Sequence, residues 1–436
     1  MTNYLSLFLL PIFVQALRLC SLILVIIIVP LNAHAESILI TNTTVHSQSK
    51  AGVMRDVNLL VKDSRIARIS RDTIDNPLED VRIVDGAGMV LTPSLIGAYS
   101  QLGLDEIDLE ATTVDSILNP LIPAVSFAFD VQYAFNAKSV VVDVNLVEGV
   151  THTIIAPRPG SDIMAGLGAF ANLAKGQIDT PNIAMFGDVS ANAAKKIGGS
   201  RAAAIGKLRF ALESLESFSA RRHHPGTGEY SKRDLIALQT HVDNDLPLVI
   251  TAHRAVEISQ LIMLAKDFDL NLVIRGATEA WQVSEALAAA DIPVIIDPLS
   301  NIPISFEHLG ARLDNAALLE RSGVRFAIEV ADTHNVRLMR QHAGNAVANG
   351  LTWSTGLHAI TRAAVELFAL DDSLGRVVVG EPANFVLWTG DPLEVTTWAH
   401  LVVVAGNVVD PNTRQTQLYN RYKRLDRAPF QYGYER

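Results

Sequence analysis

Residues 246–297, LPLVITAHRAVEISQLIMLAKDFDLNLVIRGATEAWQVSEALAAADIPVIID, alternate short apolar runs with stretches of helical periodicity. The apolar and helical segments follow each other in the order 246–251, 256–266, 271–274, 278–290 and 292–296. Nearly continuous apolar strands that alternate with helices are typical of a parallel sheet buried on both faces. The same texture extends outward, with further apolar runs at 89–95, 139–144, 151–156, 183–186 and 324–330. Eight such strands predict an α/β fold with a closed TIM-type (β/α)8 barrel.

Both flanks of this region have a different sequence pattern. Short apolar runs are separated by turn residues, and helical periodicity is scarce. These runs are 37–45, 57–61, 66–69 and 82–84 on one side and 376–379, 384–388 and 401–404 on the other. Such spacing is typical of short strands joined by turns. We therefore expect a small β-sandwich-like domain made from residues 36–93 and 371–415, a barrel of residues 94–370, and a tail of residues 416–436.

Composition excludes several functions. The chain has 436 residues, of which 49% are hydrophobic and 19% charged, with a formal net charge of −10. Binding of nucleic acid through the release of counterions requires clustered cations, which this sequence lacks. Its one cysteine, Cys20, excludes disulfides and thiolate zinc sites. A small-molecule partner is expected, and a homo-oligomer is compatible with the composition.

The N-terminus has the pattern of an export signal. Leu19–Leu31 is apolar, follows Arg18, and precedes Ala33-His34-Ala35, whose small residues form a cleavage pattern. We expect cleavage after Ala35, so that residues 1–35 are a signal peptide and the mature protein is exported, periplasmic or secreted, without membrane attachment. The alternative is an uncleaved anchor, which would favour a membrane-anchored interaction protein.

Polar residues at the carboxyl ends of the predicted strands are the candidate site, because chemistry in such barrels takes place at that rim. They are Tyr99, Gln101, His253, Arg275, Asp297, Asp332 and His334. A carboxylate at Asp332 and an imidazole at His253 are the minimum for general-base or metal-assisted hydrolysis. Structural alternatives remain: a helix N-cap for Asp332, a turn opener for Asp297, which precedes Pro298, and an ion pair with a carboxylate such as Glu279 for Arg275.

Other histidines have simpler interpretations. His152 starts its predicted strand and therefore belongs to the opposite rim. His308 and His342 lie in helical stretches, which favours surface or helix-packing positions.

Three segments resemble the amidohydrolase superfamily, in its exported, imidazolonepropionase-like branch, over residues 37–410. Val84-Asp85-Gly86 with Thr92-Pro93-Ser94-Leu95-Ile96 resembles the entry into barrel strand one. Residues 323–335, with Asp332-Thr333-His334-Asn335, resemble the strand-eight signature, and residues 375–386 resemble the closing motif of the small β domain.

The resemblance implies a metal-dependent hydrolase but also a degenerate metal motif. His253 corresponds to the strand-five metal ligand, and Asp332 to the strand-eight ligand and general base. The family's Asp-x-His-x-His on strand one reads Gly97-Ala98-Tyr99-Ser100-Gln101 here, and Arg275 replaces the strand-six histidine. Two protein ligands are one fewer than a catalytic zinc normally has, with His334 as a candidate third. The cofactor is therefore expected to be one divalent metal, zinc, or none.

Taken together, the residues and the resemblance predict a hydrolase of carbon–nitrogen bonds in non-peptide or small-peptide substrates. Asp332 and His253 would be catalytic and would hold any metal. Tyr99, Gln101, Arg275, Asp297 and His334 would contact the substrate. The alternative is a non-catalytic protein of amidohydrolase fold that binds a small ligand.

Overall fold

The computed structural model describes residues 37–74, 81–118, 126–220, 230–330 and 332–423. The expected signal peptide and residues 424–436 lie outside this range. Two eight-stranded sheets are present, both within the unit Glu36–Arg436. Their strands are, in chain order, β1 (Ser37–His46), β2 (Val53–Lys62), β3 (Arg65–Ser70), β4 (Val81–Asp85), β5 (Val90–Pro93), β6 (Leu95–Ser100), β7 (Val150–Ile155), β8 (Met164–Asn172), β9 (Gln177–Asp188), β10 (Leu248–Ala252), β11 (Leu272–Gly276), β12 (Val294–Ile296), β13 (Phe326–Ile328), β14 (Phe385–Trp388), β15 (Ala399–Val404) and β16 (Asn407–Val408).

Helices cover the barrel and follow most of its strands. They are α1 (Val140–Leu146), α2 (Ala191–Lys196), α3 (Arg201–Ala220), α4 (Lys232–Asp243), α5 (Ala255–Phe268), α6 (Ser284–Ala289), α7 (Asn315–Arg321), α8 (Met339–Ala348), α9 (Trp353–Thr361), α10 (Ala363–Leu367) and α11 (Arg414–Tyr422). Within the described ranges, no helix is long and apolar enough to cross a membrane.

The first sheet joins both flanks of the chain, as predicted. Its order is β16-β15-β14-β5-β1-β2-β3, with β4 also pairing with β1. Register pairs Phe385 of β14 with Pro93 of β5, so the sequence-distant flanks share one ladder. Alternating apolar residues of these strands pack together into one hydrophobic core, which includes Ile38, Leu59 and Phe385. This arrangement fits the expected sandwich-like domain.

The second sheet is the barrel, in the order β13-β12-β11-β10-β9-β8-β7-β6. Neighbouring strands from β9 to β13 pair in parallel, as do β6 and β7. β13 lies beside β6 and nearly closes the barrel. Its interior is filled by side chains that alternate along the strands, among them Val249, Val273, Ile295 and Ala327. The predicted α/β barrel class is confirmed.

One predicted barrel strand is wrong. Residues 139–144 form the start of helix α1 because Val141 and Val142 pack into the barrel core while Val140 faces outward. Asn145 fixes this helix against the last barrel loop, where its Oδ1 accepts a hydrogen bond from the Arg337 backbone N–H at 2.7 Å. Tertiary packing thus overrides the strand propensity of three consecutive valines.

Three further strand expectations need correction. β8 was not predicted, and it pairs antiparallel with both β7 and β9, so the barrel is not uniformly parallel. The run 89–95 divides between β5 of the small sheet and β6 of the barrel. Residues 376–379 are not a strand, although the Val377 backbone N–H donates to the carbonyl of Ser47 at 2.8 Å.

Trp388 joins the small sheet to the barrel. It is fully buried on β14 within the barrel's hydrophobic cluster. Its indole N–H donates to Thr92 Oγ1 at 2.9 Å, and the guanidinium of Arg340 lies 4.5 Å from the ring centroid. The side chain therefore combines apolar burial with a satisfied polar group.

We expect Trp388→Ala to lower the free energy of unfolding by about 3–5 kcal/mol, because it removes a buried aromatic side chain and leaves a cavity. Trp398→Ala is the matched control, since Trp398 is 66% exposed, and it should change stability by less than about 0.5 kcal/mol. Urea unfolding of both variants measures the difference. Equal destabilisation by the two substitutions would contradict the conclusion that Trp388 stabilises the contact between the small sheet and the barrel.

Candidate active site

The candidate site lies at the carboxyl ends of strands β10 to β13. Side chains alternate along a strand, so Arg275 shares the inner face with Val273, and Glu329 lies on the same face as Ala327. Parallel pairing matches Thr251 with Arg275 and Arg275 with Ile295, which keeps these strand ends level. Polar side chains just beyond the apolar interior therefore meet at one rim.

A buried ion pair forms the floor of this site. Arg275 Nε donates to Glu329 Oε2 at 2.8 Å, and the guanidinium carbon lies 3.7 Å from the centroid of the Tyr99 ring. Burial disfavours the charged guanidinium, but the carboxylate of Glu329 beside it raises the pKa of Arg275 above its ordinary value. Arg275 is consequently a permanent cation held in position from two sides.

Tyr99 and Gln101 are the two residues predicted from strand one, and Tyr99 contacts this pair. Gln101 is buried and donates from Nε2 to the carbonyl of Ala156 at 3.2 Å. Burial raises the pKa of Tyr99, so its hydroxyl stays protonated near neutral pH. Tyr99 thus packs against Arg275, whereas Gln101 is hydrogen-bonded to the backbone at Ala156.

His253 is positioned by a tight turn and a hydroxyl. Its Nδ1 lies 2.9 Å from Thr278 Oγ1, and its ring centroid lies 4.2 Å from that of His308. A side chain at Gly276, where φ is +85°, would place its Cβ 2.6 Å from His253 Cε1. Glycine is required there because of the positive φ and because a Cβ would clash with the His253 ring. Burial, with the nearby His308 and Arg275, lowers the pKa of His253 to about 3, so its imidazole is neutral.

Asp297 forms a second polar pair at the rim. Its Oδ1 accepts hydrogen bonds from His342 Nδ1 at 2.8 Å and from the Leu299 backbone N–H at 3.0 Å. Among the described residues, nothing donates to Asp297 Oδ2. One carboxylate oxygen is therefore fixed and the other is available.

These groups share one cavity of ≈ 230 Å³. Its lining includes His253, Arg275, Asp297, His308, Asn315 and Glu329. Three of the seven residues predicted from the sequence, His253, Arg275 and Asp297, thus come together here. Asn315 is buried, and its side-chain oxygen has no hydrogen-bond donor among the described residues.

Asp332 and His334 are not among the lining residues of this cavity. The Asp332 carboxylate is half-exposed and accepts hydrogen bonds from the His334 backbone N–H at 3.1 Å and from Asn335 Nδ2 at 2.7 Å. It caps the 3-10 helix Thr333–Leu338. The imidazole of His334 contacts the carbonyl of Glu106 at 2.8 Å. The observed contacts of Asp332 are therefore those of a helix N-cap, which was the structural alternative.

Sequence reasoning missed Glu329, His308 and His342 as members of this site. The surface or helix-packing interpretation of the two histidines is wrong, because His308 contacts His253 and His342 contacts Asp297. Arg275 does pair with a carboxylate, but that carboxylate is Glu329 and not Glu279, whose Oε2 accepts from the Ala255 backbone N–H at 2.9 Å. The available signal was an acidic residue near the carboxyl end of a mainly apolar run, as Glu329 is in 324–330.

A divalent metal does not fit the described donor set. Among the described residues, no group of three or more His, Asp, Glu or Cys side chains could hold a metal ion. Arg275 supplies a fixed cation next to the potential ligands Glu329 and His253, and it would repel a second one. Tyr99 and Gln101 are not usual zinc ligands.

Comparisons with known proteins agree with the fold. No protein-family model matches the chain. It is 29% identical to the amidohydrolase tasK of Hapsidospora irregularis over 130 residues, which are 27% of this chain and only 13% of that protein. An amidohydrolase from Thermotoga maritima MSB8 superposes with a TM-score of 0.75 at 23% identity, covering 86% of this chain and 99% of that one.

A prolidase complexed with N-methylphosphonate-L-proline superposes with a TM-score of 0.54 at 13% identity, covering 86% of this chain and 99% of that one. The chain is thus similar in fold to these two solved structures over 86% of its length, and in sequence to the amidohydrolase tasK over 130 residues. This confirms the resemblance to the amidohydrolase superfamily, whereas the exported, imidazolonepropionase-like branch stays a prediction.

The lowered pKa of His253 makes stability depend on pH. An unfolded histidine titrates near 6.5, whereas the folded pKa is about 3. The unfolded chain therefore binds the proton first, and the stabilisation that is present above pH 6.5 is lost as pH falls toward 3. Between pH 6.5 and 4.5 this single group should cost about 2 kcal/mol.

We expect His253→Gln to lose about 2 kcal/mol less stability than the parent over that interval. Urea unfolding at both pH values measures it. His400→Gln is the control, because His400 is exposed. If His253→Gln and the parent lose the same stability, His253 is not held neutral by burial.

Proposed function

We propose that the chain is a hydrolase of carbon–nitrogen bonds in small molecules, and that the reaction takes place in the cavity lined by His253, Arg275 and Asp297. The observation that carries this proposal is a fixed carboxylate with a free oxygen that shares a cavity with a buried cation. The position of that cavity at the carboxyl end of the barrel supports it. So does the similarity to proteins described as amidohydrolases and a prolidase.

Asp297 is the proposed general base. Its Oδ1 is held by His342 and by a backbone N–H, which orients Oδ2 and leaves it free to accept a proton from water. Asp332, the base predicted from the sequence, has local hydrogen bonds at both carboxylate oxygens. Asp297 is therefore the better-placed carboxylate.

Arg275 is the proposed stabiliser of negative charge. Its Nε is bound to Glu329 and its plane covers Tyr99, so the guanidinium is oriented before substrate arrives. A preorganised cation in a site of low water content stabilises a developing oxyanion strongly. His253 is neutral and would contribute a hydrogen bond rather than a charge, with Thr278 holding its Nδ1.

The proposed step balances without a further reactant. Asp297 takes a proton from water while the water oxygen bonds to the carbonyl carbon, and the carbonyl π electrons move to oxygen beside Arg275. As the carbonyl re-forms, the carbon–nitrogen bond breaks and the proton on Asp297 passes to the leaving nitrogen. The products are a carboxylic acid and an amine. The role of a metal is not part of this step, because the described donor set does not fit one.

The mature protein is further proposed to be exported after removal of residues 1–35. Support comes from the apolar run before Ala33-His34-Ala35.

A panel of amides, lactams and dipeptides, assayed for amine release, tests the hydrolase proposal. We expect Asp297→Asn to reduce kcat/KM by at least 100-fold, as loss of a general base typically does. Asp332→Asn carries the same chemical change on a carboxylate outside the cavity, and it should retain activity within about fivefold.

The opposite pattern, with Asp332→Asn inactive and Asp297→Asn active, would reject Asp297 and restore Asp332 as the base. Ligand binding without turnover by the parent protein, across the panel and with added zinc or manganese, would instead favour the non-catalytic alternative.

A further inference from the structure

A second cavity lies at the amino-terminal end of the barrel, against the small sheet. Its volume is ≈ 390 Å³. The lining includes His152 at the start of β7, Asn172 at the end of β8 and Asn384 just before β14, together with the loop that follows α10. Barrel chemistry takes place at the other rim, so this cavity belongs to no step of the proposed reaction.

His152 is the unusual residue of this cavity. It is 2% exposed and stacks on Phe170, with ring centroids 5.4 Å apart and an interplanar angle of 11°. Burial lowers the pKa of His152 to about 4, so the imidazole is neutral near pH 7. A neutral imidazole has one N–H donor and one lone-pair acceptor.

A chain of hydrogen bonds identifies the tautomer. The Thr151 hydroxyl donates to Ser94 Oγ at 2.7 Å, and Thr151 Oγ1 lies 2.8 Å from His152 Nδ1. Because the Thr151 proton is used on Ser94, Nδ1 must carry the hydrogen and donate it to Thr151. The lone pair is then on Nε2, which has no donor among the described residues.

Two more polar groups of the lining also lack protein partners in the described part of the chain. Asn384 is 7% exposed and uses its Oδ1 to accept from the Ala405 backbone N–H at 2.7 Å, which leaves its Nδ2 without an acceptor. The Lys175 ammonium makes no ion pair with the described carboxylates. None of these atoms is among the described buried atoms that lack a hydrogen-bond partner, so they reach the solvent of the cavity and are available to a ligand.

The lining of this one cavity offers complementary chemistry. Nε2 of His152 and the carboxylate of Asp371 accept hydrogen bonds, whereas Asn384 Nδ2 and the Lys175 ammonium donate them. Apolar walls come from Leu370, Leu374 and Val404. A ligand with a cationic donor, an anionic acceptor and an apolar side chain matches all three features.

We propose that this cavity binds a zwitterionic α-amino acid with an apolar side chain. Its ammonium group donates to His152 Nε2 and approaches Asp371. Its carboxylate accepts from Lys175 and Asn384. The inference is independent of the proposed hydrolase function, because the two cavities share no lining residue.

L-leucine is the probe, used with the mature full-length protein. Its two halves are isopentylamine, which lacks the carboxylate, and 4-methylpentanoate, which lacks the ammonium. Histidine side-chain ¹⁵N NMR follows the Nε2 resonance of His152, and the dissociation constant comes from its titration. We expect L-leucine to shift that resonance at millimolar concentration, and each half to bind at least tenfold more weakly.

Variants locate the site. His152→Phe and Lys175→Met should each weaken L-leucine binding at least tenfold when binding is measured by calorimetry. The exposed Lys175 side chain keeps the second variant informative if the first fails to fold. His400→Phe, at an exposed histidine, should leave binding unchanged.

Three results would overturn the inference. One is an unmoved His152 resonance at saturating L-leucine, which would mean that solvent alone satisfies Nε2. Another is a shift of His253 or His308 instead, which would assign leucine to the other cavity and leave the hydrolase proposal intact. The last is equal binding by isopentylamine or 4-methylpentanoate, which would reject a zwitterion.

Discussion

The contact between Arg275 and Glu329 is the constraint on which the candidate site depends. Glu329 is 3% exposed, and the guanidinium of Arg275 beside it compensates its carboxylate for the loss of water. Tyr99 fixes the guanidinium from below. The resulting cation opposes protonation of His253 and sets the polarity of the whole cavity. A positive charge at this rim is thus provided by a side chain of strand β11.

Much of the fold could be predicted, because strands that are buried on both faces consist almost entirely of apolar residues. The apolar runs around 246–251, 271–274 and 292–296 are fully enclosed by helices, and all three are barrel strands. The prediction of secondary structure failed where local strand propensity competes with tertiary packing. Residues 139–144 have the composition of a strand, yet only two of their valines have a core to enter, and a helix presents them to it. Strand β8 is rich in glycine and alanine, which gives no clear alternation.

Less of the site could be predicted, because pairing across the barrel depends on distances in space. The carboxyl-end rule selected His253, Arg275 and Asp297, and all three line this cavity. It could not find Glu329, since an isolated acid in an apolar run shows no partner until β11 and β13 are both in position. Asp332 follows the same strand by only a few residues, but the chain has already turned into a capped helix there. The alternation of side chains along a strand can be read from the local sequence. The direction of the loop after the strand cannot, because tertiary contacts determine it.

The cavity at the carboxyl end contains the paired guanidinium of Arg275, and the cavity at the amino end contains the neutral imidazole of His152. The central claim is that Arg275 supplies the positive charge of the carboxyl-end cavity. The most direct measurement is a zinc-edge anomalous difference map from crystals of the mature protein soaked in Zn²⁺. We predict no peak between His253, Arg275 and Glu329, with the 2.8 Å contact of the ion pair intact. A zinc peak bound by these side chains, with Arg275 displaced from Glu329, would contradict the account.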